Sequence, residues 1–596
     1  MSAAPLAGAP SGYGATSSSR LRLPGGAALL IAAVLAIEAA AAIAQAHYGA
    51  IGDVSWMITI CEKWLDGGTA YVDFIETNPP AAIWLYIPPV AFARLIGARP
   101  EAIVAAYGFV AVAGSLVACA AILRNGGLLA RLGPATVLLG LVALTILPGR
   151  TFGERDFFIA LLALPSLALA TVRAERGPVD WRLALLAGLC AGAMVAIKPP
   201  YALIVLGAAS GVAARAGVTA VLVSLEHYVA TALFAAYAAL SVWKFPSYGE
   251  QILPIVVAAY LPVRESFAQL MANAAVVLWV GIVGLLALVV RAGARVPLVT
   301  LPLVTAPLLG SLGALAAFFI QGKGWLYQTY PALAVLLLAV GAAWDASERR
   351  GQGLVPAIGA AAATVLAAAV VGLPPIDAAA LVSLAAASAG LLGARSRATD
   401  GRARLAGIGQ TAIAALVAAA CVFYSLPPSG PDADFVRAVA DLGPHPRLAA
   451  IGEGLGIGFP LVREVDGVWV QRSQGLLMTA GARRLIDQHP ADMALASRLA
   501  PIIAWDRDLA AEDIRRERPD AVLVSKIGPR FHQWAMTDPA LRAALEPYRF
   551  AMASRAKDWP VDLYVRQDLV GLRPSLSSSD DARRYLSSPP AADNRR

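Results

Sequence analysis

Charge is scarce in this chain. Asp, Glu, Lys and Arg make up 15% of its 596 residues, against roughly a quarter in soluble domains. With 58% hydrophobic residues, a soluble globular class is excluded. Cysteine is scarcer: Cys61, Cys119, Cys190 and Cys421 are the full set, three of them in or beside apolar runs. None has metal-ligand spacing, so neither a disulfide framework nor a zinc site is indicated. No whole-chain repeat and no inverted halves of the kind many transporters carry are evident.

Apolar runs fill most of the length instead, each long enough to cross a bilayer. They lie near 25–46, 102–122, 133–148, 157–172, 183–197, 200–214, 217–240, 269–290, 298–320, 326–344, 354–373, 376–394 and 405–426. The expected fold is a polytopic α-helical membrane domain, 25–426, of about thirteen spans. Residues 1–24, rich in Ser, Gly and Ala, read as a disordered cytoplasmic N-terminus. The first run ends in "AQA", like a signal-peptidase site, but is long for a signal peptide and is expected to stay as an anchor.

The net charge of +8 is no nucleic-acid footprint, because most Arg sits in short loops where it sets topology. Arg20 and Arg22, Arg124 and Arg131, Arg173, Arg176 and Arg182, Arg291 and Arg295, Arg349 and Arg350, and the cluster from Arg395 to Arg404 all fall on the cytoplasmic side of a thirteen-span arrangement. That holds only if the apolar segment 79–97 does not cross. Pro79, Pro80, Pro88 and Pro89 interrupt it, and Trp84 and Tyr86 favour the headgroup level. An interfacial or re-entrant segment explains the charges more simply than a crossing one. The outward pieces are then the loop 47–101, the turns 149–156, 198–200 and 321–325, the loop 241–268, and everything after Ser425.

From Pro427 the composition changes. Strand-like "RLAAIG", "AVLVSK" and "VDLYVR" alternate with helical "TAGARRLIDQHP" and "AAEDIRRERP". The alternation predicts a small periplasmic α/β domain over 427–572, followed by a disordered tail, 573–596. The expected setting is a bacterial inner membrane, multi-pass, with the N-terminus cytoplasmic.

Candidate chemistry lies on the outward side. Apolar residues at helical spacing over 54–65 predict an amphipathic helix on the membrane surface, ended by "DGG" at Asp66. Asp53, directly before it, faces both bilayer edge and water, the address a general base needs when its substrate is lipid-linked. It is equally placed to cap that helix. At "GERDFFIALLALP" from Gly153, Glu154, Arg155 and Asp156 stand at the lip of an apolar span, and Asp156 could cap it.

"GDVSW…W…GGTAYVDFIETNPP" resembles the first periplasmic loop of type C (GT-C) membrane glycosyltransferases. The likeness is to the bacterial branch related to the aminoarabinose transferase and the protein O-mannosyltransferases. A second acidic motif in a later outward loop is matched by "GERDF", and "QGKGWLYQTYPA" from Gln321 resembles a motif before a late span, with Gln328 where the family commonly has His. "GFPLVREVDGVWVQRS" near Gly458 resembles part of the C-terminal domain of some members. The resemblance implies a GT-C fold with a periplasmic C-terminal domain and Asp53 as catalytic base, assisted by Asp156 or Glu154.

The donor would then be a polyprenyl-phosphate-linked sugar, whose phosphate needs cations near the membrane edge. Lys323, flanked by Gly322 and Gly324, with Arg155, Lys198 and Lys244, are the candidates; Lys at span ends also snorkels to headgroups with no further role. Tyr71, Asp73, Glu76, Trp325, Tyr327 and Gln328 are candidate substrate-lining residues, against a plainer role as loop acids and belt aromatics. A divalent cation, Mg or Mn, held by Asp53 with Asp156 or Glu154 is left open, since carboxylates are present without an evident cage. The partners implied are the bilayer, the donor lipid and an envelope glycan, lipid or protein acceptor. A transporter or flippase of lipid-linked sugars is the alternative; it would carry polar residues inside its spans, where this chain has mostly Ala, Leu, Val and Gly. A non-catalytic assembly factor would not need Asp53, Asp156 and Lys323 to converge.

Overall fold

The computed structural model describes residues 25–293, 301–346, 401–426 and 430–570. The expected disordered ends and the expected spans 354–373 and 376–394 lie outside the described residues. The protein is a polytopic α-helical membrane protein with a small C-terminal α/β domain. Among the described residues six helices are long and apolar enough to cross a membrane, and shorter apolar helices fill in between them.

The first half reads in order as α1 (Gly25–Tyr48), α2 (Gly52–Leu65), α3 (Pro80–Trp84), α4 (Ile87–Ile96), α5 (Pro100–Asn125), α6 (Pro134–Leu141), α7 (Arg155–Ala174), α8 (Trp181–Ile197) and α9 (Ala202–Ala216). Long helices Leu225–Lys244, Ala274–Gly293, Pro302–Gln321, Leu326–Asp345 and Gly401–Ser425 follow. The segment 79–97 is broken into α3 and α4. At about 1.5 Å per residue neither reaches across a bilayer core of about 30 Å, as the proline spacing predicts.

Two local features place charged side chains. Pro199 follows Lys198, which bars Lys198 from helical backbone; it is extended at φ −146°, ψ 100°, and α8 ends before it. Gly322 and Gly324 are left-handed at φ +67° and +70°, and a Cβ on Gly322 would lie 2.4 Å from Arg264 Nε. The tight "GKG" turn therefore requires glycine, and it carries Lys323.

The C-terminal domain holds a five-stranded sheet, β1 (Arg447–Ile451), β2 (Val468–Trp469), β3 (Ala521–Ser525), β4 (Tyr548–Ala553) and β5 (Val561–Arg566), in the order β2-β1-β3-β5-β4. β2, β1 and β3 are parallel; β5 and β4 continue the sheet antiparallel. Strands β1, β3 and β5 are the three legible in the sequence. β2 has two residues and β4 alternates weakly, so neither stands out.

One expectation is overturned. α2 is not an open surface helix: Val54 through Cys61 are buried without a break. The C-terminal domain covers its polar side. Arg463 reaches Glu62 at 3.1 Å and Glu101 at 2.6 Å, Lys63 Nζ donates to the Gln471 carbonyl, and the Trp56 and Phe459 rings meet at 5.5 Å. An amphipathic pattern shows that one face is apolar. It does not show whether water or protein meets the other.

Candidate active site

The α1–α2 corner and the start of α7 bring the two acidic motifs together. Asp53 is the second residue of α2, and Ile51 takes the N-cap position without a side-chain bond, so Asp53 does not cap. Its Oδ1 instead accepts from Arg155 Nη2 at 2.9 Å. The cap of α7 is Glu154, whose carboxylate accepts from the Asp156 amide at 2.8 Å. That frees Asp156 to face inward, where its two oxygens take Lys198 Nζ and the Tyr201 hydroxyl. The capping alternatives for Asp53 and Asp156 are therefore not adopted.

Arg155 lies between two acids, with Nε on Glu154 at 3.2 Å and Nη2 on Asp53. Its Nη1 is buried and has no hydrogen-bond partner among the described residues. Asp53 keeps 27% of its side chain exposed, and it lines a cavity of about 900 Å³ at the foot of the C-terminal domain. Withdrawal from bulk water, only partly opposed by Arg155, pushes its carboxyl up to about 6.

Arg155, Lys198, Lys323, Glu76, Trp325, Tyr327 and Gln328 line the same cavity. Lys198 Nζ lies 5.0 Å from the Tyr327 ring centroid while paired to Asp156. Lys323 Nζ donates to the carbonyls of Tyr260 and of Val263, the latter at 2.6 Å, and lies 4.0 Å from the Tyr260 ring centroid. Burial, with Arg264 and Arg484 nearby, pushes Lys323 down to about 8. Glu76 is not a solvated loop acid: it is buried and holds Trp56 Nε1 and the Asn78 amide. Gln328 Nε2 donates to Gln321 at 3.1 Å, and its buried Oε1 has no partner among the described residues.

Other candidates do not reach the cavity. Glu154 and Asp156 lie fully buried beneath it, behind Arg155 and Lys198. Lys244 is exposed at the end of its helix. Asp73 is an exposed loop acid accepting from the Thr69 amide. Tyr71 is buried, with its hydroxyl on the Asn78 carbonyl. No three His, Cys, Asp or Glu come together in a metal-holding group among the described residues. Asp53 and Asp156 each face a cation.

Lining residues that escaped sequence reasoning include Arg150, Tyr260, Gln321 and Glu453. Arg150 stands at a span end like many others, and its guanidinium lies 4.8 Å from the Tyr48 ring centroid. Glu453 sits in the glycine-dense "GEGLGIGFP" that follows β1. Glycine density just after a strand was the available signal for it. The apolar wall includes Leu253, Val256, Phe423 and Leu426.

No protein-family model matches the sequence, and no curated protein does. Solved structures do share the fold. ArnT from Cupriavidus metallidurans in the apo state aligns with a TM-score of 0.52 at 16% identity, over 90% of this chain and 98% of that one. The same protein bound to undecaprenyl phosphate aligns at 0.50 and 14% identity with the same coverage. At such identity the likeness is one of fold, along nearly the whole of both chains.

Proposed function

We propose that this protein is a glycosyltransferase that moves a sugar from a polyprenyl-phosphate donor to a cell-envelope acceptor on the periplasmic side, with Asp53 as general base. The observation that carries the proposal is the meeting, in one cavity, of an accessible carboxylate and a buried guanidinium with an unspent donor. The solved structure holding undecaprenyl phosphate in the same fold supports a lipid-phosphate donor.

The chemistry follows from charge. An acceptor hydroxyl oxygen attacks the anomeric carbon, and the bond from that carbon to the donor phosphate oxygen breaks. Asp53 takes the hydroxyl proton, and a raised pKa makes it a stronger base while leaving it ionised near neutrality. The departing phosphodiester becomes a monoester and gains charge. Arg155 Nη1, together with Lys198 and Lys323, is placed to meet that charge in a site shielded from bulk water. Glu154 and Asp156 act as positioning residues: Glu154 holds the Arg155 fork, and Asp156 holds Lys198. The apolar wall suits the first isoprene units of the lipid.

The test is reconstitution with a radiolabelled polyprenyl-phosphate sugar pool and an envelope extract. Transfer should fall by about 10²- to 10⁴-fold in Asp53→Asn; undiminished transfer would remove Asp53 from the mechanism. Sidedness is tested by introducing cysteine at the exposed Asp73 and Arg530 and labelling intact cells from outside. Both should label. Protection of Asp73→Cys would place the loop 47–101 in the cytoplasm.

A further inference from the structure

We propose that the acceptor is a sugar-bearing molecule, held by Glu453 and Trp325 in a second cavity at the seam between the helical and α/β domains. This rests on the donor assignment above. A transfer enzyme needs two substrates at one base, by two routes. The second cavity, about 740 Å³, shares Tyr260, Lys323, Trp325, Glu453 and Leu477 with the first, so the two are contiguous through those residues. Its outer wall is the C-terminal domain, including helix Leu477–Gln488 and the start of Pro529–Thr537.

Glu453 stands beyond the carboxyl end of β1, and Gly528 beyond the carboxyl end of the adjacent parallel strand β3. Open α/β sheets bind ligands at that edge. A Cβ on Gly528 would lie 2.2 Å from Glu453 Oε1, so the carboxylate is seated directly on that glycine. Among the described residues no hydrogen bond or ion pair engages it, and burial raises its pKa with no cation to oppose. The nearby cations make their contacts elsewhere: Arg484 takes Glu265 at 3.0 Å, Arg530 lies 3.7 Å from Asp487, Arg483 lies over the Trp534 ring, and Lys323 gives two of its three N–H groups to backbone carbonyls.

A carboxylate fixed in a cavity with no protein donor bonded to it takes O–H groups from a ligand. Beside it the Trp325 ring, 40% exposed, offers an apolar face. A pyranose presents both a hydroxyl edge and a C–H face, and uses both groups at once. A serine or threonine hydroxyl on a protein would use only the carboxylate.

The experiment is saturation-transfer NMR on the detergent-purified full chain with a panel of methyl hexopyranosides. N-acetyl serine and threonine amides serve as competitors, and undecaprenyl phosphate binding is followed on the same samples by native mass spectrometry. At least one glycoside should bind. Loss of a hydrogen bond to a charged group predicts roughly tenfold weaker binding in Glu453→Gln, with a similar loss in Trp325→Ala. The assignment is overturned if no glycoside binds the native chain, if both variants bind glycoside as it does, or if the amino-acid amides alone bind through Glu453. Failure of the native chain to bind undecaprenyl phosphate is a different result, and refutes the donor assignment.

Discussion

Arg155 and Asp53 are 102 positions apart in the chain and joined by a 2.9 Å ion pair at the cavity wall. That pair ties the start of α2 to the lip of α7. In the proposed mechanism it sets a base and an anion receptor on adjacent side chains.

Removing the guanidinium should damage both fold and binding. Arg155→Ala leaves Asp53 and Glu154 facing each other without a cation, which is expected to cost about 3–5 kcal/mol. Arg155→Lys keeps the charge but not the planar fork. The thermal midpoint should fall less in the Lys variant than in the Ala variant, while undecaprenyl phosphate binding weakens in both. Binding at full strength in Arg155→Lys would show that charge alone suffices.

The pH profile of transfer should be bell-shaped. In the proposed mechanism Asp53 works ionised, and its carboxyl is raised to about 6, so activity should be lost as pH falls through that value. Lys323 is proposed to work as an ammonium and is lowered to about 8, so activity should be lost as pH rises through it. Lys323→Arg should abolish the alkaline limb and leave the acid limb in place. An alkaline limb unchanged in Lys323→Arg would assign it to another group.

The Asp156–Lys198 pair should behave as a unit. Lys198→Met strands a buried carboxylate, at a cost of about 3–5 kcal/mol, whereas Asp156→Asn with Lys198→Met should recover most of that. Transfer should not recover in the double variant, because the cation is still missing. Stability measured across the four proteins of the cycle, beside transfer rates, separates the two roles.

Arg463 clamps the C-terminal domain onto α2 through Glu62 and Glu101, with only 15% of its side chain exposed. Arg463→Ala should speed amide hydrogen exchange in α2 and raise sensitivity to limited proteolysis near the seam. Transfer should drop, since the cavity roof comes from that domain. Unaltered exchange in α2 would mean that the apolar contacts, such as Trp56 on Phe459, hold the domain without it.

Much of the fold was legible in the sequence. Apolar runs mark helices because a bilayer admits little else, prolines break 79–97 because they remove backbone donors, and the change of composition at Pro427 marks where the spans stop. The pairing of "GDVSW" with "GERDF" was anticipated through charge bookkeeping and resemblance. What each acid does was not. Asp53 and Asp156 both sit where a cap is possible, and local sequence cannot say which carboxylate takes a backbone amide and which takes a distant cation.

The sequence by itself determined the class of molecule and where many of its apolar helices lie, because hydrophobicity acts over a few neighbouring residues. Tertiary structure alone decided that Glu154 caps, that Asp53 meets Arg155, that α2 is roofed by protein, and that Glu453 joins two cavities. Apart from the Glu154 cap itself, those outcomes depend on contacts between residues tens to hundreds of positions apart. Burial, a carboxylate's partner and a cavity's second wall exist only once the chain has closed on itself.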